Sequence, residues 1–141
     1  GGTGTTETID LDGDVTAAST LTIRNAATLD LAAGVDLTAT NGALDAATSV
    51  TAINLSGADA TTNVIDGNGD ALVSLANITD TNNPHLTVNS EGGITLNGIN
   101  LGTGNHTFNA DNDDDGSATL SRSSMTVTSR SRTRRVRTVD T

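Results

Sequence analysis

The stretch Leu86-Thr87-Val88-Asn89-Ser90-Glu91-Gly92-Gly93-Ile94-Thr95-Leu96-Asn97-Gly98-Ile99-Asn100-Leu101 decides how this chain folds. It holds three triplets, Leu86-Thr87-Val88, Ile94-Thr95-Leu96 and Ile99-Asn100-Leu101, each apolar, polar, apolar. In an extended strand the outer two side chains share one face and the middle one points away. Asn89 to Gly93 and Asn97-Gly98 separate the triplets, and both are turn-forming residue types. The same rhythm recurs through most of the chain, so an all-β, repeat-like module is expected.

Composition narrows the class. With 141 residues, one domain or a piece of a larger protein is expected, and a first residue Gly1 rather than Met favours a fragment or processed piece. No apolar run approaches the ~20 residues of a membrane helix, so no membrane insertion is expected. Aromatic residues make up 1% of the chain, with Phe108 alone, and Cys, Trp, Tyr and Lys are absent. An interior must therefore come from Val, Ile, Leu, Ala and Thr methyls. Stacked coils can build one from such small pieces, because each coil buries its face on the next.

Charge is uneven. The net charge is -10, but residues 1–120 carry 16 of the 17 acids against Arg24 alone. Residues 121–141 carry the other six arginines and one acid, Asp140. An acidic, lysine-free body argues against nucleic acid as its partner. The absence of cysteine excludes a disulfide framework and suits a chain exported unfolded.

Taken in order, residues 1–5 read as a frayed Gly/Thr lead. Strands are expected at Thr8–Leu11, Leu21–Ile23, Leu29–Leu31, Val35–Leu37, Val50–Leu55, Val64-Ile65, Leu72–Leu75 with Ile78, the opening triplets, Thr107–Asn109 and Thr119-Leu120. Turns are expected at Asp12-Gly13, Asn41-Gly42, Asp66–Asp70 and Asn82-Asn83-Pro84. The Ala-rich span 43–60 has helical propensity. Its β-branched Thr48, Val50, Thr51 and Ile53 and its lack of a 3.6-residue spacing favour strand instead.

Two architectures fit. The favoured one is a right-handed parallel β-helix (β-solenoid) over residues 6–120, with three short strands per coil, about 25 residues per coil and about four or five coils. The alternative is an antiparallel β-sandwich, in which Asn97-Gly98 turns a hairpin and Leu96 pairs with Ile99. The missing Trp and Tyr count against an immunoglobulin-type sandwich.

Ile94-Thr-Leu-Asn-Gly-Ile-Asn-Leu101 and Phe108-Asn-Ala-Asp-Asn-Asp-Asp-Asp-Gly-Ser-Ala-Thr-Leu120 resemble the repeats of filamentous-haemagglutinin-like and autotransporter-like bacterial adhesins. The likeness spans about residues 6–120. It implies a β-helix passenger, secreted or held at the bacterial cell surface, acting as a structural or adhesive segment. Its implied partners are a host or cell-surface glycan or protein and the neighbouring repeats of the parent chain. No family active site exists to carry over.

Asp111, Asp113 and Asp115, followed by Gly116, carry carboxylates at positions 1, 3 and 5 and glycine at position 6 of a calcium loop. Hard oxygens at that spacing suit Ca²⁺, the one candidate cofactor, although Arg122 stands where a bidentate acid closes an EF-hand. The plain alternative is a solvated acidic turn. Gly67-Asn-Gly69-Asp70 and Gly1-Gly2-Thr3-Gly4 are single, imperfect copies of a glycine-rich calcium nonapeptide that works in tandem. Asp10, Asp12 and Asp14 fit the solvent side of a strand. His85 and His106 read as surface residues before they read as a metal pair.

Catalysis is not expected: there is no G-x-S-x-G, phosphate loop or cysteine nucleophile. Two functional alternatives remain, a calcium-dependent β-sandwich binding module and a polysaccharide-degrading β-helix. The latter needs a cation near its carboxylates, and the body has only Arg24. The Arg-rich residues 121–141 read three ways: a disordered basic arm for nucleic acid or anionic surfaces, a strap onto the acidic body, or the non-native product of a shifted reading frame. The abrupt change of composition favours the last.

Overall fold

The computed structural model describes residues 7–58, 60–113 and, as backbone strand, 119–122. Alternation of small aliphatic and polar residues makes short strands, and Gly, Asn and Asp end them. The first coil is β1 (Thr8–Leu11), β2 (Val15–Ala17) and β3 (Leu21–Thr22). The second is β4 (Ala26–Leu31), β5 (Leu37–Ala39) and β6 (Leu44–Ala46). Next come β7 (Val50–Leu55), β8 (Thr62–Gly67), β9 (Val73–Asp80), β10 (His85–Ser90), β11 (Gly93–Asn100), β12 (His106–Asn109) and β13 (Thr119–Arg122).

Every strand pairing among the described residues is parallel. Strands β2, β5, β8, β10 and β12 form one sheet, and the remaining strands form the other. The result is a β-solenoid of about 4 turns, with no helix among the described residues. This excludes the antiparallel sandwich. The coil step runs from 20 residues (Ile9 to Leu29) to 29 (Leu44 to Val73), which brackets the expected length.

The interior is a set of vertical columns. Ile9, Leu29, Ile53, Ile78 and Ile99 stand on one another at five successive levels, four coil steps apart from first to last. Across from them stand Val15, Leu37, Ile65, Val88 and, last, Phe108. Leu29, Ile53, Ile78, Leu37, Ile65 and Val88 are all 0% exposed. Aliphatic pairs about 4.8 Å apart thus supply the core that aromatic residues supply elsewhere.

Asn97-Gly98 is not a hairpin. It lies inside β11, over Ala76-Asn77 of β9. A Cβ on Gly98 would sit 2.5 Å from Oδ1 of Asn77, so any larger residue there would have to displace the Asn77 amide. The two-residue spacer still has a conformational effect. Ile94 and Leu96 face inward, and so do Ile99 and Leu101, so the strand changes parity at the pair. Strand β9 bends in the same way between Leu75 and Ile78.

This bend replaces a corner. In the first two coils left-handed Asn25 (φ 62) and Ser49 (φ 65) turn the chain between the third strand and the next coil. Five residues separate Ala46 from Ala52, whereas only Ala76 separates their partners Leu75 and Asn77. The older corner is held by Asp45, whose carboxylate accepts from the N–H of Ala47 (3.0 Å) and Thr48 (3.1 Å) and pairs with Arg24 at 3.3 Å. Burial pulls its pKa upward, but these donors and the Arg24 charge outweigh burial and lower it.

Strands formed where expected at Thr8–Leu11 and Val50–Leu55, and the Ala-rich span formed β6 and β7 rather than helix. Strand β2 went unrecognised, and Asp66-Gly67 continue β8 instead of opening a turn. The lead and the Arg-rich residues 123–141 lie outside the described residues. Ile53→Ala, made at the middle of a filled column, is expected to cost about 3 kcal/mol of unfolding free energy in a denaturant titration. A loss under about 1 kcal/mol would mean that the columns do not carry the fold.

Candidate functional site

Stacking in register gives the outer surface ranks of like residues. Asp10, Asp30, Asn54, Thr79 and Asn100 form one. Within it Nδ2 of Asn54 donates to Oδ1 of Asp30 at 3.3 Å, and Thr79 meets Oδ1 of Asn54 at 3.5 Å. Thr16, Thr38, Asp66, Asn89 and Asn109 form another on the opposite sheet. Such ranks offer donors and acceptors at a fixed repeat of about 4.8 Å. That geometry suits recognition of an extended polar polymer by many weak contacts.

The acidic corner is the one cluster of three or more metal-ligating side chains among the described residues. It joins Asp70, Glu91 and Asp113, one from each of three successive corners, with carboxylate oxygens within 4.8 Å of one another. Gly69 (φ 82) and Asp70 (φ 52) are both left-handed, which folds their N–H groups towards the next corner. Glu91 accepts from both, through the Gly69 N–H and, at 3.2 Å, the Asp70 N–H. Gly92 lets the chain pass over Asp70, since a Cβ there would strike its carbonyl group.

Of the residues singled out in sequence, Asp113 joins this corner. Asp111 is half-buried and outside the trio, and Asp115 lies outside the described residues. Among the described residues, the acids grouped with Asp113 come from other coils. Glu91 was missed, and Asp70 entered only within the glycine-rich motif. The signal was the spacing: Asp70 to Glu91 is 21 residues and Glu91 to Asp113 is 22, close to the coil step in this half. Carboxylates are the right chemical class for calcium, and the trio supplies three of the six to eight oxygens that ion takes.

The histidines do not pair as ligands. Leu86 is inward, so His85 beside it faces out, while His106 stands in register with Leu86 and faces in. Both ring nitrogens of His106 are buried and neither makes a well-formed hydrogen bond, although the Gly102 backbone lies near enough to favour the charged ring. The surface placement expected for it is thus corrected, because it occupies an interior column at the last coil. Burial lowers its pKa below the usual histidine value and outweighs the opposite pull of the Gly102 backbone and Asp80 carboxylate; neighbouring His85 adds to the lowering. Asp80 is itself occupied, accepting from the Gly102 N–H at 3.0 Å on both oxygens.

No protein-family model, curated protein or solved structure matches the chain.

Two measurements test these sites. Crowded carboxylates repel, so Asp70→Asn at low salt with chelator is expected to raise stability by a few tenths of a kcal/mol, roughly the worth of an exposed charge pair. The gain should fade at high salt, and asparagine tolerates the left-handed backbone. Lower stability of this variant with chelator would show that the corner is not repulsive. For His106 the folded value lies below the unfolded one, about 6.5. The stability supplied by its neutral form is complete above that pH and is lost as pH falls through the lowered folded value. Melting curves from pH 7.5 to about pH 4.5 should show this loss in the native chain and a smaller one in His106→Gln. Equal losses would remove His106 as the cause.

Proposed function

We propose that the chain is a rod-like structural segment of a secreted or cell-surface repeat protein of the filamentous-haemagglutinin-like or autotransporter-like adhesin type, serving as spacer or adhesive stalk. The observation that carries this reading is the pairing of a mainly aliphatic interior with outward ranks of Asp, Asn and Thr on a parallel solenoid. A backbone ladder repeated coil on coil makes a stiff rod at low cost in sequence complexity. Ranks such as Asp30, Asn54, Thr79 and Asn100 then present one polar motif many times. The partner chemistry that fits is an extended glycan or a protein surface rich in hydrogen-bonding groups. No helix among the described residues is long and apolar enough to cross a membrane.

No catalytic step is assigned to the chain. A β-helix that cleaves acidic polysaccharide needs a cation beside its carboxylates to hold the uronic acid. Among the described residues Arg24 is the one guanidinium whose partner is known, and it pairs with Asp45.

The test is incubation of the full chain with a panel of immobilised and soluble neutral and acidic polysaccharides. Saturable retention is expected on an extended glycan, reduced about tenfold when Asn54→Ala and Asn100→Ala are combined, with polymer length unchanged. Shortening of any polysaccharide would replace the stalk reading with a degradative one. Retention that ignores both substitutions would remove the outward ranks from the account.

A further inference from the structure

Three Asn-Gly peptides occur in the chain, Asn41-Gly42, Asn68-Gly69 and Asn97-Gly98. Each sets a side-chain amide beside a backbone nitrogen that no following side chain shields. If that nitrogen reaches the amide carbon, a five-membered imide closes and ammonia leaves. The attack needs the asparagine backbone and side chain to rotate until the two atoms meet. A fold that pins those groups blocks the reaction, and one that leaves them free permits it.

Asn68-Gly69 is pinned. The Asn68 N–H donates to the Ala39 carbonyl at 3.0 Å, and the Asn68 carbonyl accepts from the Gly42 N–H at 2.9 Å. Nδ2 of Asn68 donates to Oδ2 of Asp66 at 3.2 Å, and Glu91 holds the Gly69 N–H, the attacking group. Asn97-Gly98 lies inside β11, with Gly98 buried and in register with Asn77. That extended backbone would have to leave the ladder to fold onto its own side chain.

Asn41-Gly42 differs on each count. It forms the corner between β5 and β6, outside any strand. Asn41 is exposed, and among the described residues its side chain makes no hydrogen bond. Its Oδ1 rests against Gly69 of the next corner, where a Cβ would come within 2.6 Å of it. The attacking nitrogen is restrained by the bond from the Gly42 N–H to the Asn68 carbonyl. Asn68-Gly69 shares that bond and carries three more. Each further bond that must open slows closure about fivefold, so a few of them separate the two sites by more than about tenfold.

We propose that Asn41-Gly42 is a site of self-modification in the folded chain, where asparagine becomes aspartate and isoaspartate with water as the co-reactant. The Gly42 nitrogen gives its proton to solvent base and bonds to Cγ of Asn41. The Cγ–Nδ2 bond breaks, and the amide nitrogen takes a proton from water and leaves as ammonia. Water then opens the imide. Opening at Cγ gives aspartate, and opening at the backbone carbonyl gives isoaspartate, which lengthens this corner by one backbone atom. The aspartate product sets a new carboxylate against Gly69, whose N–H Glu91 already holds. The reaction needs the fold and water, and does not depend on the adhesive role.

Mass spectrometry of the full chain, kept folded at about pH 9 and sampled over days, tests this. Cleavage at acidic residues separates the three sites, since Asp45, Asp70 and Glu91 lie between them. The amide-to-acid mass gain is expected on the Asn41 peptide at least about tenfold faster than on the Asn68 or Asn97 peptide. In concentrated guanidinium chloride all three should gain it at similar rates, because the fold is what sets them apart. Asn41→Gln is expected to keep the melting transition and lose the early gain, since a six-membered ring closes far more slowly. Earliest gain at Asn68 would overturn the proposal and make Glu91 a base for the Gly69 nitrogen. Equal rates in the folded chain, or a folded chain unmodified at Asn41 while the unfolded sample reacts, would overturn it too. So would the same preference for Asn41 in denaturant, or an early gain that survives Asn41→Gln.

Discussion

Parallel register between neighbouring coils is the constraint on which the rest of this structure depends. Once Leu29 stands on Ile9, every later coil must place a side chain of similar girth at that point, and Ile53, Ile78 and Ile99 do so. A bulky ring would push the coil above out of hydrogen-bonding distance, since the ladder spacing leaves about 4.8 Å between like positions. This explains a core without Trp or Tyr better than any shortage of hydrophobicity does. It also explains why Phe108 comes last in its column, where it has the freedom of the final described coil on that sheet.

The same rule disciplines polar residues that fall on interior columns. Asn63 is buried over the corner of the coil below, and its Nδ2 donates to the carbonyls of Ala32 (2.8 Å) and Val35 (2.9 Å). The Ala32 carbonyl also accepts from the Val35 N–H at 3.2 Å, so Asn63 adds a second donor there and serves the Val35 carbonyl as well. Ser90 does similar work, accepting from the Gly93 N–H at 3.0 Å. Two interior groups fall short of this: Oδ1 of Asn63 is buried without a partner, and neither ring nitrogen of His106 makes a well-formed hydrogen bond.

Corners are where the sequence is free to vary, and charge collects there. Strand segments are confined to small aliphatic and polar alternation, while corner lengths absorb the range from 20 to 29 residues per coil. Acids placed at one corner meet acids placed at the next, which produces the Asp70, Glu91 and Asp113 group. Charge also collects on the first described coil, where Glu7, Asp10, Asp12 and Asp14 are all exposed.

The sequence by itself determined the period-2 alternation, the aliphatic core, the absence of helix and the approximate coil length. Each follows from local sterics and from having no larger side chains to bury. The strands at Thr8–Leu11 and Val50–Leu55 were legible for that reason. Asn97-Gly98 was not, because an Asn-Gly pair inside a strand that changes parity looks the same in sequence as one in a turn. Only the tertiary structure decided which corners lie over one another, and so that Glu91 belongs with Asp70 and Asp113 and that His106 faces inward. Corner length changes from coil to coil, so contacts between corners are set by the accumulated register of the strands between them.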